Sequence, residues 1–154
     1  MTPSEQPFER GPQSPLWRAQ EPADLVLPAG SLADSLIRSA AAFPEAPAMY
    51  YYGARYDYSQ LLRDVERLAG WLAAQGVKAG DRVIVDLQNS PQYVIAFYAI
   101  LRANAVVVPV NPMNTTEEIS FVAADSGARA AILAGTYTDY CAQTRAGWED
   151  AKHG

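Results

Sequence analysis

Apolar residues recur along this chain at two spacings, and the change from one to the other divides it in two. Leu32, Leu36, Ile37, Ala40 and Ala41 lie three and four apart, the period of one helix face, behind Ser31 as a candidate N-cap. Pro44 and Pro47 stop that helix, since proline lacks the amide hydrogen and its ring meets the preceding turn. Residues 49–52 and 55–58 read as the arms of a β-hairpin turning at Gly53-Ala54. Ser59 is expected to cap a second helix whose stripe is Leu61, Leu62, Val65, Leu68, Ala69 and Leu72, with Gly76 just past its end. Arg63, Asp64, Glu66 and Arg67 fall on its opposite, solvated face.

Beyond Gly76 the rhythm becomes strand, helix, strand, helix, strand. Lys78-Ala79-Gly80-Asp81 is a turn into a buried strand over 82–87. Ser90-Pro91 is an N-cap followed by proline at the first helical position, and that helix runs to about Ala103, with Asn104 as a left-handed cap. Residues 106–110 form a continuous apolar run, the pattern of a strand covered on both faces. Thr115-Thr116-Glu117-Glu118 has the capping-box spacing, its helix ends at Ser126-Gly127, and 130–133 is a third strand. The predicted fold class is α/β: a partial parallel sheet with flanking helices (β-α-β-α-β), preceded by a helix–hairpin–helix unit. The organisation expected is an extended, Pro-rich lead-in over 1–28, the start of a domain over 29–134, and a partly helical tail over 135–154.

Composition narrows the chemistry. The 154 residues carry 12 basic and 17 acidic side chains, net charge −5, without a Lys/Arg cluster, which argues against nucleic acid as a partner. One cysteine, Cys141, and one histidine, His153, exclude a disulfide scaffold and a Cys/His metal site. The most apolar stretch, 93–110, is broken by Arg102 and Asn104, so no transmembrane segment is expected. The polar N-terminus lacks the pattern of a secretory signal, and the expected location is cytoplasmic. Neither G-x-x-x-x-G-K-[ST] nor G-x-G-x-x-G occurs. Gly76 to Asp81 follows a helix and precedes a strand, the wrong order for cradling a phosphate.

Few side chains suggest a site. Glu117 and Glu118 suit the first turn of a helix, where their charge interacts favourably with the positive end of the macrodipole. Tyr50, Tyr51, Tyr52, Tyr56 and Tyr58 read as cross-strand packing, because base stacking needs a basic groove and only Arg55 is near. Cys141 and His153 have no evident orienting partner and make no convincing dyad. Asp86, inside Val-Ile-Val-Asp-Leu, has two readings. It is a carboxylate hydrogen-bonded to a neighbouring loop, or a site carboxylate near the carboxyl end of a parallel strand.

Several stretches in order carry a family resemblance. Leu27 to Asp34 with Ser39 to Glu45, then Tyr56-Asp57-Tyr58-Ser59-Gln60-Leu61 against a Y-T-Y-x-E-L pattern, begin it. Gly76-Val77-Lys78-Ala79-Gly80-Asp81-Arg82-Val83, Gln88 to Tyr93, Tyr98 to Pro112 and Asp125 to Arg129 continue it. Asn104 stands where the family usually has glycine. Over 28–133 the chain resembles the N-terminal portion of the AMP-forming acyl-CoA synthetases of the acyl-adenylate-forming superfamily, most of all bacterial long-chain fatty-acid–CoA ligases.

The resemblance implies a parent acid–thiol ligase that adenylates a fatty acid with ATP and Mg2+ and then forms a thioester with CoA. It also implies what is missing from residues 1–154: the T-S-G-T-T-G-x-P-K-G loop, the Y-G-x-T-E segment, the ribose-binding Asp, the hinge and the C-terminal catalytic Lys. No catalytic, cofactor-binding or metal residue is therefore assigned. The chain alone is expected to be inactive and to hold no bound cofactor. A stand-alone interaction module or remnant from a truncated synthetase gene is the alternative. The sheet edge left unpaired after the third strand suggests self-association unless the tail covers that edge.

Overall fold

The computed structural model describes residues 30–134; the lead-in over 1–28 and the tail over 135–154, with Cys141 and His153, lie outside the described residues. Helix α1 (Leu32–Ala42) starts at Ser31, whose hydroxyl accepts from the Asp34 amide at 3.2 Å while Asp34 accepts from the Ser31 amide at 2.7 Å. Strands β1 (Pro47–Tyr51) and β2 (Ala54–Asp57) form an antiparallel hairpin. Its turn is Tyr52-Gly53, one residue earlier than the sequence suggests, with φ +45° and +82°. In the type I′ hairpin turn, whose twist follows the strands, both central residues are left-handed, and placing Gly53 second leaves the first position to Tyr52.

Helix α2 (Tyr58–Ala74) is capped by Asp57, not Ser59. The Asp57 carboxylate accepts from the Gln60 amide at 2.7 Å and from the Ser59 hydroxyl at 2.8 Å. Those bonds, the backbone one first, hold its carboxyl below the usual carboxylate range. The Gln60 Oε1 in turn accepts from the Asp57 amide at 3.1 Å. A carboxylate at the extended end of β2 outcompetes a hydroxyl two residues later, because its charge strengthens the bond to the free amides of the first turn.

Strand β3 (Arg82–Asp86), helix α3 (Pro91–Arg102), strand β4 (Val106–Pro109), helix α4 (Thr116–Ser126) and strand β5 (Ala130–Leu133) follow. The three strands form a parallel sheet in the order β4–β3–β5. Both strands expected to run one residue further stop at Asp86 and Pro109, although the Val110 amide still donates to the Val85 carbonyl at 3.1 Å. Val83 and Val85 face one core with Leu61, Val65, Leu72, Ala96, Ala99 and Ile100 from α2 and α3. Ile84 faces the other with Ala123 and Ala128 beside α4. The helices thus cover both faces, which is why β3 reads as an unbroken apolar run.

Helices α2, α3 and α4 end alike. A left-handed residue (Gly76, Asn104 or Gly127) reverses the chain, and the next amide returns to a carbonyl in the last turn. Val77 thereby bonds to Leu72, Ala105 to Ile100 and Ala128 to Ala123, and all six residues are buried. Each helix end is sealed by an apolar contact just before a strand begins. Arg82 adds a tie between layers, its Nε donating to the Ser126 carbonyl at 2.7 Å.

Asn104 holds φ +55°, where a β-branched residue is strained. Asn104→Gly is expected to leave stability unchanged or slightly raised, and Asn104→Val to lower it by about 1–2 kcal/mol, read from urea denaturation midpoints.

Candidate functional site

The parallel sheet sends its strands outward on either side of its first member: β3 connects through α3 to β4 on one flank, and β4 connects through α4 to β5 on the other. In such sheets the crevice beyond the carboxyl ends, between strands whose connections diverge, is where ligands bind. Here that position lies between β3 and β5, where Asp86 pairs in register with Leu133.

A cleft of about 560 Å3 opens at this point. Its apolar walls include Tyr51 from the hairpin, Leu68 from α2, Ile95 from α3 and Ile132 from β5, and its polar groups include Asp86, Gln88, Ser90 and Gln92. A second cleft of about 480 Å3, bounded by Asn89, Tyr93, Asn111 and Met113, shares Leu87, Gln88 and Pro112 with the first. The loops after β3 and β4 therefore make one continuous edge of the sheet.

Much of the polar lining is already occupied. The Ser90 hydroxyl caps α3 by accepting from the Tyr93 amide at 3.4 Å, and the Asn111 side chain accepts from the Met113 amide at 3.0 Å. Asp86 differs. It is 6% exposed, and among the described residues its Oδ1 accepts no hydrogen bond. Burial disfavours the charged form and pushes its carboxyl above the usual carboxylate value. Among the described residues no loop group donates to its Oδ1, and Asp86 stands in the cleft wall at a strand's carboxyl end.

The other candidates have structural roles. Glu118 completes the α4 capping box with Thr115, and Glu117 is exposed in the same turn. Gly76 to Asp81 is a helix-to-strand turn closed by the Lys78 amide on the Asp81 carboxylate at 2.8 Å. Tyr50 pairs with Arg55 across the hairpin and Met49 with Tyr56, while Tyr51 turns into the cleft. Among the described residues no group of three or more His, Cys, Asp or Glu is placed to hold a metal ion. Sequence reasoning missed the cleft walls Tyr51, Leu68, Gln92 and Ile132, which come from separate elements. The one signal pointing to them was the polar turn Asp86-Leu87-Gln88 after an apolar strand.

Comparison with known proteins places this geometry. Residues 36–153 match the AMP-binding enzyme family. The long-chain-fatty-acid–CoA ligase of Bacillus subtilis is 39% identical over 114 residues, covering 71% of this chain and 20% of that protein. The ligase of the same description from Escherichia coli O157:H7 is 32% identical over 128 residues, covering 79% and 23%. The chain thus spans about a fifth of the length of these relatives. The crystal structure of the N-terminal domain of FACL13 from Mycobacterium tuberculosis superposes with a TM-score of 0.69 at 29% identity, over 74% of this chain and 30% of that one.

Because the Asp86 carboxyl titrates higher when folded, its charge opposes folding fully above the raised folded value and not at all well below the ordinary carboxylate value, where it is protonated in both states. Asp86→Asn, which removes the buried charge, is expected to be more stable than the native chain at pH 7. The gain should shrink on acidification, as measured by urea denaturation across pH.

Proposed function

This chain belongs to the AMP-binding enzyme family, and from that premise we propose that it is the N-terminal part of an ATP-dependent fatty-acyl-CoA synthetase. The observation that carries the reading is the match of 36–153 to the family, joined to a fold that superposes on part of the FACL13 N-terminal domain and of a Mycobacterium tuberculosis fatty acyl CoA synthetase. In the parent reaction the fatty-acid carboxylate attacks the α-phosphorus of ATP, forming acyl-AMP and releasing pyrophosphate. The CoA thiol then loses its proton and attacks the acyl carbon, and AMP leaves. Mg2+ accompanies the ATP, and the setting is the cytoplasm. No helix among the described residues is long and apolar enough to cross a membrane.

This part of the enzyme is scaffold. Its sheet and flanking helices form the base against which later segments are arranged. No phosphate-binding glycine loop or second lysine-bearing catalytic segment occurs in residues 1–154 to stabilise the charge that develops on the phosphates. By itself the chain therefore lacks turnover, and its edge strands invite pairing between copies.

ATP–pyrophosphate exchange with palmitate and Mg2+ is expected to stay at background for the 154-residue chain; exchange above background would overturn the scaffold reading. Light scattering at rising concentration is expected to show dimers or larger species, and a monomer at every concentration would refute edge pairing.

A further inference from the structure

An ionised carboxylate removed from water is costly unless a hydrogen-bond donor or a positive charge stands beside it. Asp86 lines the cleft beyond β3, is 6% exposed, and its Oδ1 meets no donor among the described residues. The lining holds no lysine, arginine or histidine, so nothing there offsets the charge of an ionised Asp86. The other polar groups add donors but no charge. The Ser90 hydroxyl accepts from the Tyr93 amide and keeps its own proton to give, and Gln88 and Gln92 carry amides. These donors suit an acceptor atom on a ligand, yet an anion entering the cleft meets the like charge of Asp86.

The aromatic wall carries a second, independent sign. Tyr52 follows Tyr51 in the hairpin turn, 93% exposed and at φ +45°, where a bulky side chain is strained and glycine or asparagine is not. Its ring stands edge-on to that of Tyr51, with centroids 4.6 Å apart and planes at 78°. Such a pair fixes the orientation of the inner ring, and Tyr51 is the one that lines the cleft. The strained turn thus holds an aromatic ring at a site that also has an unneutralised carboxylate. Together these are the features that recognise an organic cation.

We propose that the cleft at the carboxyl ends of β3 and β5 binds a small organic amine as its ammonium ion, anchored by Asp86 and packed against the ring of Tyr51. A primary ammonium supplies both things the carboxylate lacks, positive charge and N–H donors, whereas a quaternary one supplies only charge. Leu68, Ile95 and Ile132 give the apolar body of the amine a surface to cover, and the volume of about 560 Å3 is that of a small-molecule site. The position is the one where ligands bind in parallel sheets of this kind. The site uses no nucleotide, acyl or thiol group and stands apart from the synthetase reading above.

The probe is benzylammonium, titrated into the 154-residue chain near neutral pH and followed by saturation-transfer NMR on its own ring protons. It is expected to bind saturably. Three relatives of the probe are expected to bind at least tenfold more weakly: benzyl alcohol lacks the charge, benzoate reverses it, and benzyltrimethylammonium keeps it without an N–H. Asp86→Asn conserves the side-chain shape and is expected to raise the benzylammonium Kd at least tenfold. Tyr51→Leu and Tyr52→Gly are each expected to raise it at least threefold, the second by freeing Tyr51 from an exposed position where no buried side chain is disturbed. The amide spectrum of β3 checks that each variant is folded. No saturable binding, equal or tighter binding of the alcohol or of benzoate, or unchanged affinity in Asp86→Asn would each overturn the proposal. Unchanged affinity in both tyrosine variants would overturn it as well. None of these readouts involves adenylation, so a failure here leaves the synthetase reading to be judged by the exchange assay alone.

Discussion

Everything in this structure depends on β3 being paired on both edges and buried on both faces. Val83, Ile84 and Val85 are at most 1% exposed, and their peptide groups bond to β4 on one side and β5 on the other. A strand in that position cannot carry a polar side chain along its length without a large desolvation cost. It can carry one only at its end, where the sheet opens. Asp86 stands there, the single buried charged side chain among the described residues.

The layers follow from the same strand. Its odd-numbered valines require apolar cover on one face, supplied by α2 and α3, and Ile84 requires it on the other, supplied beside α4. The repeated left-handed helix ends direct each chain segment from helix into strand without an exposed apolar joint. Arg82 and the register of Asp86 with Leu133 then fix both ends of β3 against its neighbours. The cleft is what remains when hairpin, helix and loops meet above the carboxyl ends, and its position is a consequence of how the two connections diverge.

How much of this was legible beforehand varied with the range of the interaction concerned. The cap at Ser31, the proline-led start at Ser90-Pro91, the Thr115–Glu118 box and the reversal at Asn104 all involve partners within a few residues, and each was read correctly. Two local features were misplaced for a physical reason. Asp57 starts the helix two residues before Ser59, accepting from the Gln60 amide and from the Ser59 hydroxyl itself. The hairpin turn shifted to Tyr52-Gly53 because pairing of Tyr51 with Ala54 sets the register, which residue preferences at the turn do not reveal. The family resemblance was legible for a similar reason, since the stretches that carry it are short contiguous runs.

The sequence by itself determined the order and kind of the elements, because helical and strand periods, caps and turn residues act over a few positions. It also determined that this stretch lacks the phosphate-binding loop of a complete adenylating site. Only the tertiary structure decided that the first parallel strand lies at the centre of the order β4–β3–β5, that Tyr51, Leu68, Ile95 and Ile132 meet around one cleft, and that Asp86 there accepts no hydrogen bond at Oδ1 from the described residues. Those outcomes depend on which distant segments share a face once both sides of β3 are covered. Burial, unlike capping, is a property of the assembled layers.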